Sequence, residues 1–262
     1  MVRISVITVT YNCKKLLEKT IESLLSQNFE SLEYIVIDGK STDGTLEVIK
    51  ENNEFITYWV SEKDSGIYDA MNKGLKIATG DFVLFLNAGD TFYSKNTLAL
   101  IPFNEHPDAE IFYGETLIVN GDGLQLGLRQ KNLPHNLSWH HFKKGMVVCH
   151  QSILVNRKIA KDYNLKFRYS ADIDWVLNAL KSADEVIFTG SIISVFETGG
   201  FSAQNKWKSW LERWTILKDY FGWPQCLLSH IVFIFELFML KLRLKPAFRN
   251  IDPKLFTNEE HS

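Results

Sequence analysis

The chain has 262 residues, of which 45% are hydrophobic and 23% charged, and its formal net charge at pH 7 is −2. Such a length supports one large domain or two interdependent lobes with a substantial core, and the near-neutral charge argues against nucleic acid as the main partner. Three scattered cysteines without metal-ligand spacing, Cys13, Cys149 and Cys226, predict a reducing compartment and no disulfides.

The first predicted elements alternate between strand and helix. Residues 4–9 form an apolar, β-branched run, and a helix is predicted over 14–27 because apolar residues recur there at three- and four-residue spacing. A strand that begins at Ile4 leaves no room for a signal peptide, so a cytoplasmic protein is expected. A second strand, 34–38, ends in a carboxylate, and the loop after it suits the N-cap of a helix over 46–51.

Another apolar strand, 83–86, stops abruptly at the turn Asn87-Ala-Gly-Asp90. Ligands of α/β sheets bind outside the carboxyl ends of the strands, so Asp90 stands where a ligand would bind. An Asp after a strand is also typical of a turn or a helix N-cap, and this segment alone leaves both interpretations open.

The C-terminal sequence changes character from residue 206 onward. Trp207, Trp210 and Trp214 precede a fifteen-residue apolar run, which is followed by the basic residues Lys241, Arg243, Lys245 and Arg249. The run is shorter than the roughly twenty residues that span a bilayer. We therefore predict a helical extension over 204–262, whose segment 225–249 lies on the anionic cytoplasmic leaflet. The alternative is an amphipathic helix that packs on the body of the protein or on a dimer partner.

Four ordered segments resemble the family 2 inverting glycosyltransferases: residues 4–11, 37–45, 61–74 and 79–90. The resemblance continues more loosely through 150–151, 171–174 and 199–202, and ordered blocks are harder to obtain by chance than one short motif. It implies a GT-A fold, with a mixed, mostly parallel sheet flanked by helices. The catalytic domain would span 1–203, with a nucleotide-sugar-binding half at 1–95 and an acceptor half at 96–203.

The resemblance also implies roles for individual residues on the donor side. Asp38 would accept a hydrogen bond from the base, commonly a uracil imide, because a carboxylate is an acceptor only. Asp64 matches a second nucleotide-side carboxylate, although Asp-Ser-Gly is also a good turn by itself. The other expected donor contacts are Thr10, Tyr11, Asn12, Lys73 and Asn87.

An inverting transfer to a hydroxyl needs a general base on the acceptor side. The family's acidic motif aligns best with Asp172, which is the expected base, and Asp174 is the fallback. At i and i+2 of a helix the two carboxylates face different sides, and N-capping fits the local sequence equally well. Contacts with the acceptor or the diphosphate are expected from His150, Gln151, Gly200 and Ser202.

The metal motif departs from the family pattern, since Asn87 and Gly89 stand where the Asp-x-Asp motif has carboxylates. The expected Mn²⁺ or Mg²⁺ would then be held by Asp90, diphosphate oxygens and water. Its role would be to neutralise charge on the departing nucleoside diphosphate.

The predicted function is metal-dependent, inverting transfer of a sugar from a nucleoside-diphosphate sugar, most often a UDP-sugar, to a hydroxyl of a lipid-linked or growing glycan. Bacterial surface polysaccharide assembly (O-antigen, capsule or exopolysaccharide) fits the resemblance best. The enzyme is expected on the inner face of the cytoplasmic membrane, with a homodimer as one possible state. Two alternatives stay open: a nucleotidyltransferase, and a noncatalytic membrane-peripheral scaffold with a degenerate donor site.

Overall fold

The computed structural model describes residues 1–129, 131–198, 205–242 and 246–251. Its first half alternates strands and helices as β1 (Ile4–Thr10), α1 (Lys14–Leu25), β2 (Leu32–Asp38), α2 (Thr45–Glu51), β3 (Tyr58–Ser61), α3 (Ile67–Ile77) and β4 (Phe82–Phe85). The bounds of β1, α1, β2, α2 and β4 lie within one or two residues of the predicted ones. Helix α2 begins after Gly44, whose position has no side-chain cap, so the N-cap predicted from the hydroxyls of this loop and Asp43 is not formed; Asp43 does accept a hydrogen bond from the Thr45 backbone N–H at 3.1 Å.

The second half contains more strands and the C-terminal helices. Its elements are β5 (Thr91–Phe92), β6 (Ile111–Val119), β7 (Gln125–Arg129), two 3₁₀ helices (Trp139–Lys144 and His150–Ser152), β8 (Ile153–Asn156), α4 (Ala171–Ser182), β9 (Val186–Glu197), α5 (Lys206–Phe221), α6 (Trp223–Lys241) and β10 (Phe248–Arg249).

One mixed sheet runs through the described part of the chain, in the order β10-β7-β6-β8-β4-β1-β2-β3, with β9 beside β6 and β5. Strands β4, β1, β2 and β3 are parallel, so their carboxyl ends meet at one edge, where Thr10, Asp38 and Ser61 stand in register. The mixed α/β sheet is confirmed. Parallel pairing is less extensive than predicted, because β8 enters antiparallel to both β4 and β6.

The core occupies both faces of this sheet, and it explains the continuous apolar sequence of the central strands. On β1, Ile7 and Val9 pack on the side of α3 and α4, whereas Ile4 and Val6 pack on the side of α1 and α2. The fully buried Trp175 fixes α4 to the sheet, because its ring meets Phe85 edge-on at 5.4 Å between centroids. The first turn of α4 is thereby placed at the carboxyl edge.

The C-terminal helices form a pair with one packed face and one exposed face. His230 of α6 contacts the rings of Trp210 and Trp214 of α5, and α6 also packs on the 3₁₀ helix Trp139–Lys144. The opposite face of α6 exposes more than half of Ile231, Ile234, Phe235 and Phe238. In the described part of the chain, no helix is both long and apolar enough to cross a membrane.

Candidate active site

Asp38 lies fully buried at the end of β2, where it organises the loop that follows. Its carboxylate accepts hydrogen bonds from the Ser41 backbone N–H at 3.0 Å, from the Ser61 hydroxyl at 2.5 Å and from the Ser41 hydroxyl. A carboxylate offers about four lone-pair sites. These local bonds therefore leave capacity for one further donor, and they show that Asp38 also has a structural task.

Gly39 is a contact point between two of the predicted donor residues. A Cβ atom on residue 39 would lie 2.8 Å from Asp64 Oδ2 and 3.2 Å from Cδ2 of the Tyr11 ring. Asp64 is held by the Gly66 N–H, which donates to Oδ1 at 2.9 Å, and Tyr11 is 63% exposed. An exposed aromatic ring thus stands beside two carboxylates, around a position where any side chain would displace Asp64 or the Tyr11 ring.

The loops after β1 and β2 are tied together by Asn12. Its backbone N–H donates to the Ser41 hydroxyl at 2.8 Å, and its side-chain oxygen accepts from the Thr42 N–H at 2.8 Å. Asn12 has φ 49°, a left-handed conformation that Asn tolerates better than most residues. Thr10 lies under this junction, where its hydroxyl is 3.3 Å from the Cys13 thiol. Both predicted residues therefore support the loops around the site.

Lys73 of α3 forms an ion pair with Glu62 at 2.8 Å and lies 3.9 Å from Asp69. Partial burial opposes its charge, but the hydrogen bond and charge of Glu62, together with Asp69 and Asp64, raise the pKa of Lys73. The structure thus brings Lys73 into the same electrostatic group as Asp64, with Glu62 as its direct partner.

The turn after β4 carries two polar side chains, Asn87 and the buried Asp90. Asp90 is 6% exposed, and it accepts a hydrogen bond from Gln151 Nε2 at 3.1 Å. Burial raises the pKa of Asp90 to about 7, against the lowering effect of the Gln151 bond. Asn87 donates from Nδ2 to His150 Nε2 at 3.2 Å, while its Oδ1 atom is buried without a hydrogen-bond partner.

These two side chains decide whether a divalent cation suits the site. No group of three or more His, Cys, Asp or Glu side chains is arranged for a metal within the residues described. The Asp90 carboxylate and the unpartnered Asn87 Oδ1 are nevertheless hard oxygen donors, which Mg²⁺ and Mn²⁺ prefer. The residues present fit a weakly held ion that takes most of its ligands from substrate and water.

His150 and Gln151 occupy one short 3₁₀ helix under the sheet edge, and each bonds one residue of the Asn87-Asp90 turn. Burial lowers the pKa of His150, an effect that the neighbouring Asp172 opposes and Arg129 reinforces. His150 is therefore neutral at pH 7. Since its Nε2 accepts from Asn87, its proton resides on Nδ1, which lies 3.8 Å from Asp172 Oδ2.

The first turn of α4 separates the two candidate bases. Asp172 keeps 24% of its side chain exposed, and its Oδ1 accepts from the Tyr68 hydroxyl at 3.2 Å. Asp174 is buried and accepts from the Tyr220 hydroxyl of α5 at 3.1 Å. Burial raises the pKa of Asp174. The Ser170 hydroxyl bonds Ser209, and α4 has no side-chain cap, so the structure does not form the capping alternative that the sequence left open.

Two residues of this site were not predicted from the sequence. Tyr68 comes from α3, and Arg129 comes from the end of β7, where its Nη1 lies 3.1 Å from the Cys149 sulfur and its charge acts on Asp172. An isolated tyrosine and arginine in separate elements carry no motif, so only the packed fold identifies them. The predicted contacts Gly200 and Ser202 lie outside the described residues.

The comparisons with known proteins agree with this fold. The model of the family Glycosyl transferase family 2 matches residues 5–163. A PGL/p-HBAD biosynthesis glycosyltransferase of Mycobacterium bovis is 30% identical over 221 residues, covering 80% of this chain and 82% of the relative. The putative teichuronic acid biosynthesis glycosyltransferase TuaG of Bacillus subtilis is 26% identical, covering 82% and 87%.

Solved structures show the same architecture at low sequence identity. S. aureus TarS 1–349 in complex with UDP superposes with a TM-score of 0.64 at 21% identity, covering 82% of this chain and 64% of that one. The mannosyltransferase PcManGT of Pyrobaculum calidifontis, in complex with GDP-Man and Mn²⁺, gives 0.62 at 16% identity, covering 93% and 80%. With most of its length matched by the family model and its sheet shared with these GT-A structures, the chain belongs to glycosyl transferase family 2 and is a glycosyltransferase.

Proposed function

We propose that this enzyme transfers a sugar, with inversion, from a nucleoside-diphosphate sugar to a hydroxyl of a lipid-linked or growing cell-surface glycan. The observation that carries the proposal is a contact series from Asn87 through His150 and Asp172 to Tyr68. It joins the turn beside the donor edge to a partly exposed carboxylate on α4. Family membership argues against the nucleotidyltransferase alternative.

Asp172 is the proposed general base, because it is the partly exposed carboxylate of the α4 turn and two neighbours orient it. The Tyr68 hydroxyl donates to Oδ1, and the Nδ1 proton of His150 faces Oδ2. In the proposed step the acceptor hydroxyl gives its proton to Asp172 as its oxygen attacks the anomeric carbon. The bond from that carbon to the diphosphate oxygen breaks, and the nucleoside diphosphate leaves.

Donor binding is assigned to the edge formed by Tyr11, Asp38, Gly39 and Asp64. Tyr11 offers an exposed ring for the base, and Asp38 has capacity for one more hydrogen-bond donor. A uracil base is favoured because the family resemblance assigns its imide to Asp38, and TarS was solved with UDP. PcManGT was solved with GDP-Man, so guanine is the base against which uracil has to be compared.

A divalent cation is proposed at Asp90 and the Asn87 amide oxygen. When bound, it would supply positive charge to the departing diphosphate. The acceptor class rests on the names of the relatives, which concern biosynthesis of PGL/p-HBAD and of teichuronic acid. Binding of the cytoplasmic membrane leaflet through 225–249 would bring the enzyme to a lipid-linked acceptor.

Calorimetric titration with UDP, GDP and dTDP, each with and without Mn²⁺, tests the donor assignment. We expect UDP to bind most tightly and Asp64→Asn to weaken it, with Asp43→Asn as the control on the adjacent loop. A complete lack of nucleotide binding by the folded wild type would favour the scaffold alternative. The anomeric configuration of a transferred sugar, read by NMR, tests inversion directly.

A further inference from the structure

The short 3₁₀ helix His150–Ser152 holds the side chains of the turn after β4, with one bond to each proposed cation ligand. Asn87 Nδ2 and His150 Nε2 are 3.2 Å apart, and Gln151 Nε2 donates to Asp90 Oδ2 at 3.1 Å. Each bond joins residues that are 63 or 61 positions apart along the chain. The 3₁₀ helix therefore affects which oxygen atoms of the turn stay available to a ligand.

The backbone of the same turn is fixed separately, by the fully buried Thr20 of α1. The Thr20 hydroxyl accepts a hydrogen bond from the Gly89 N–H at 3.0 Å and donates to the Asp90 carbonyl oxygen at 2.8 Å. This backbone support does not involve the 3₁₀ helix. Substitutions at 150 and 151 should therefore act on the side-chain orientations of the turn rather than on its backbone path.

The orientation of the Asn87 amide follows from the proton on His150. Nδ1 of the ring faces Asp172 Oδ2 at 3.8 Å, and an ionised carboxylate only accepts, so Nδ1 carries the proton. Nε2 of the neutral ring is then an acceptor, and it takes its hydrogen bond from Asn87 Nδ2. The amide is thereby held with Oδ1 outside this bond, and Oδ1 is buried without a hydrogen-bond partner.

A buried carbonyl oxygen without a partner needs an explanation, such as a bound ion, because leaving it unpaired opposes folding. The oxygen in question lies on the turn that also carries the Asp90 carboxylate, and hard oxygen atoms of both kinds are ligands that Mn²⁺ and Mg²⁺ prefer. In metal sites, residues behind the ligands fix the orientation of the ligands and so change the affinity for the metal.

We propose that His150 and Gln151 are positioning residues of the cation site. His150 holds the Asn87 amide so that Oδ1 is available to the cation, and Gln151 holds the Asp90 carboxylate through Oδ2. This inference rests on the proposed function, which puts a divalent cation at this turn, and it adds the residues that orient the ligands. The opposite amide orientation, with Oδ1 bonded to a protonated Nε2, makes the reverse prediction for the removal of His150.

The test titrates Mn²⁺ into the full chain saturated with UDP, at about pH 8, where an imidazole is neutral, and follows bound Mn²⁺ by electron paramagnetic resonance. His150→Leu removes the acceptor, whereas His150→Gln keeps an oxygen acceptor near the position of Nε2. Gln151→Leu is the second test position. His106→Leu is the control, since His106 pairs with Glu185 at the surface. Thermal melts verify that each variant folds.

We expect His150→Leu and Gln151→Leu each to bind Mn²⁺ about tenfold or more weakly than wild type, with UDP affinity in the absence of Mn²⁺ unchanged. His150→Gln and His106→Leu should bind Mn²⁺ like wild type. In an Asn87→Ala background, His150→Leu should cause no further loss, because its effect passes through the Asn87 amide.

Tighter Mn²⁺ binding by His150→Leu would overturn the inference, since it would mean that His150 occupies the amide oxygen. Additive losses in the double variant, or equal losses in His150→Gln and His150→Leu, would also overturn it, because the acceptor at Nε2 would then not be the cause. Wild type that binds UDP but no Mn²⁺ would remove the cation site and this inference, and leave the donor assignment intact. Failure of the proposed function has a separate sign, because wild type would then bind no UDP with or without Mn²⁺.

Discussion

At the scale of single residues, burial distinguishes carboxylates that look alike in the sequence. Asp172 and Asp174 are two positions apart, yet one meets Tyr68 and His150 and the other meets Tyr220. Asp90 was expected as a metal ligand, and it is also a buried partner of Gln151. Its contact with Gln151 and its proposed role as a metal ligand predict different responses of stability to pH.

Asp90 predicts a pH dependence of stability in metal-free protein. Because burial raises its folded-state pKa from 3.8 to about 7, the folded protein binds the proton more tightly than the unfolded chain does. The contribution of protonated Asp90 to the free energy of unfolding is therefore complete below about pH 4 and is lost as pH rises through about 7. In urea unfolding of wild type, the free energy of unfolding should fall by on the order of a few kcal/mol as pH rises through 7. The Asp90→Asn variant should show a flatter profile.

Mn²⁺ supplies the control for this prediction, since a bound cation favours the ionised carboxylate. Adding it with UDP should stabilise wild type more at pH 8 than at pH 6, and it should have little effect on Asp90→Asn. Parallel pH profiles for the two proteins would show that Asp90 titrates normally, and the proposed burial effect would be wrong.

Gly39 predicts a steric effect on the donor edge. Gly39→Val should displace Asp64 or the Tyr11 ring, because even a Cβ atom would stand 2.8 Å from Asp64 Oδ2. We expect UDP affinity to fall about tenfold or more, the equivalent of at least one lost hydrogen bond. Gly121→Val is the control, since its Cβ would meet only Glu197 at 3.7 Å. Unchanged UDP affinity would show that the donor does not bind at Gly39, contrary to the proposal.

At the scale of elements, the N-terminal units were predictable because their patterns are local. The leucine spacing of α1 and the β-branched runs of β1 and β2 predict those elements to within one or two residues at most ends. The antiparallel entry of β8 was missed, since strand direction depends on connections that periodicity does not report. Tyr220 on α5, which removes Asp174 from the cleft, is likewise visible only after packing.

We predict that helix α6 binds membranes through its exposed face. Ile234 and Phe235 are 59% and 60% exposed, and burying two such side chains in lipid is worth a few kcal/mol by transfer scales, about 1.5–3 each. The double variant Ile234→Ser with Phe235→Ser should lose most co-sedimentation with vesicles of phosphatidylglycerol and phosphatidylcholine. Leu165→Ser, at 55% exposure elsewhere on the surface, is the control.

The same double variant distinguishes a lipid surface from a second copy of the chain. Analytical ultracentrifugation without lipid should show one oligomeric state for wild type and variant alike. A wild-type dimer that the variant dissociates, with vesicle binding absent from both, would assign the exposed face to dimerisation and contradict the membrane proposal.

At the scale of the whole molecule, the site joins the two halves of one sheet. The parallel half supplies the proposed donor edge, where Asp38 ends β2 and Gly39 follows it, and the second half supplies His150 and Asp172. Sequence motifs predicted most residues of the proposed donor edge, because those residues lie at or just after the ends of strands; their donor role stays a prediction. Arg129 and Tyr68 were not found, because their positions in the site come from three-dimensional neighbours. Tyr68 bonds Asp172, 104 positions along the chain, and Arg129 bonds Cys149, 20 positions away.

The central claim is that Asp172 is the general base of sugar transfer. The most direct measurement compares transfer rates from a UDP-sugar to lipid-linked acceptor for wild type, Asp172→Asn and Asp174→Asn, alongside UDP affinity. Asp172→Asn should bind UDP normally and lose about 10²-fold or more of the rate, whereas Asp174→Asn should keep most of the rate, because Asp174 bonds Tyr220. Retained transfer in folded Asp172→Asn would contradict the account.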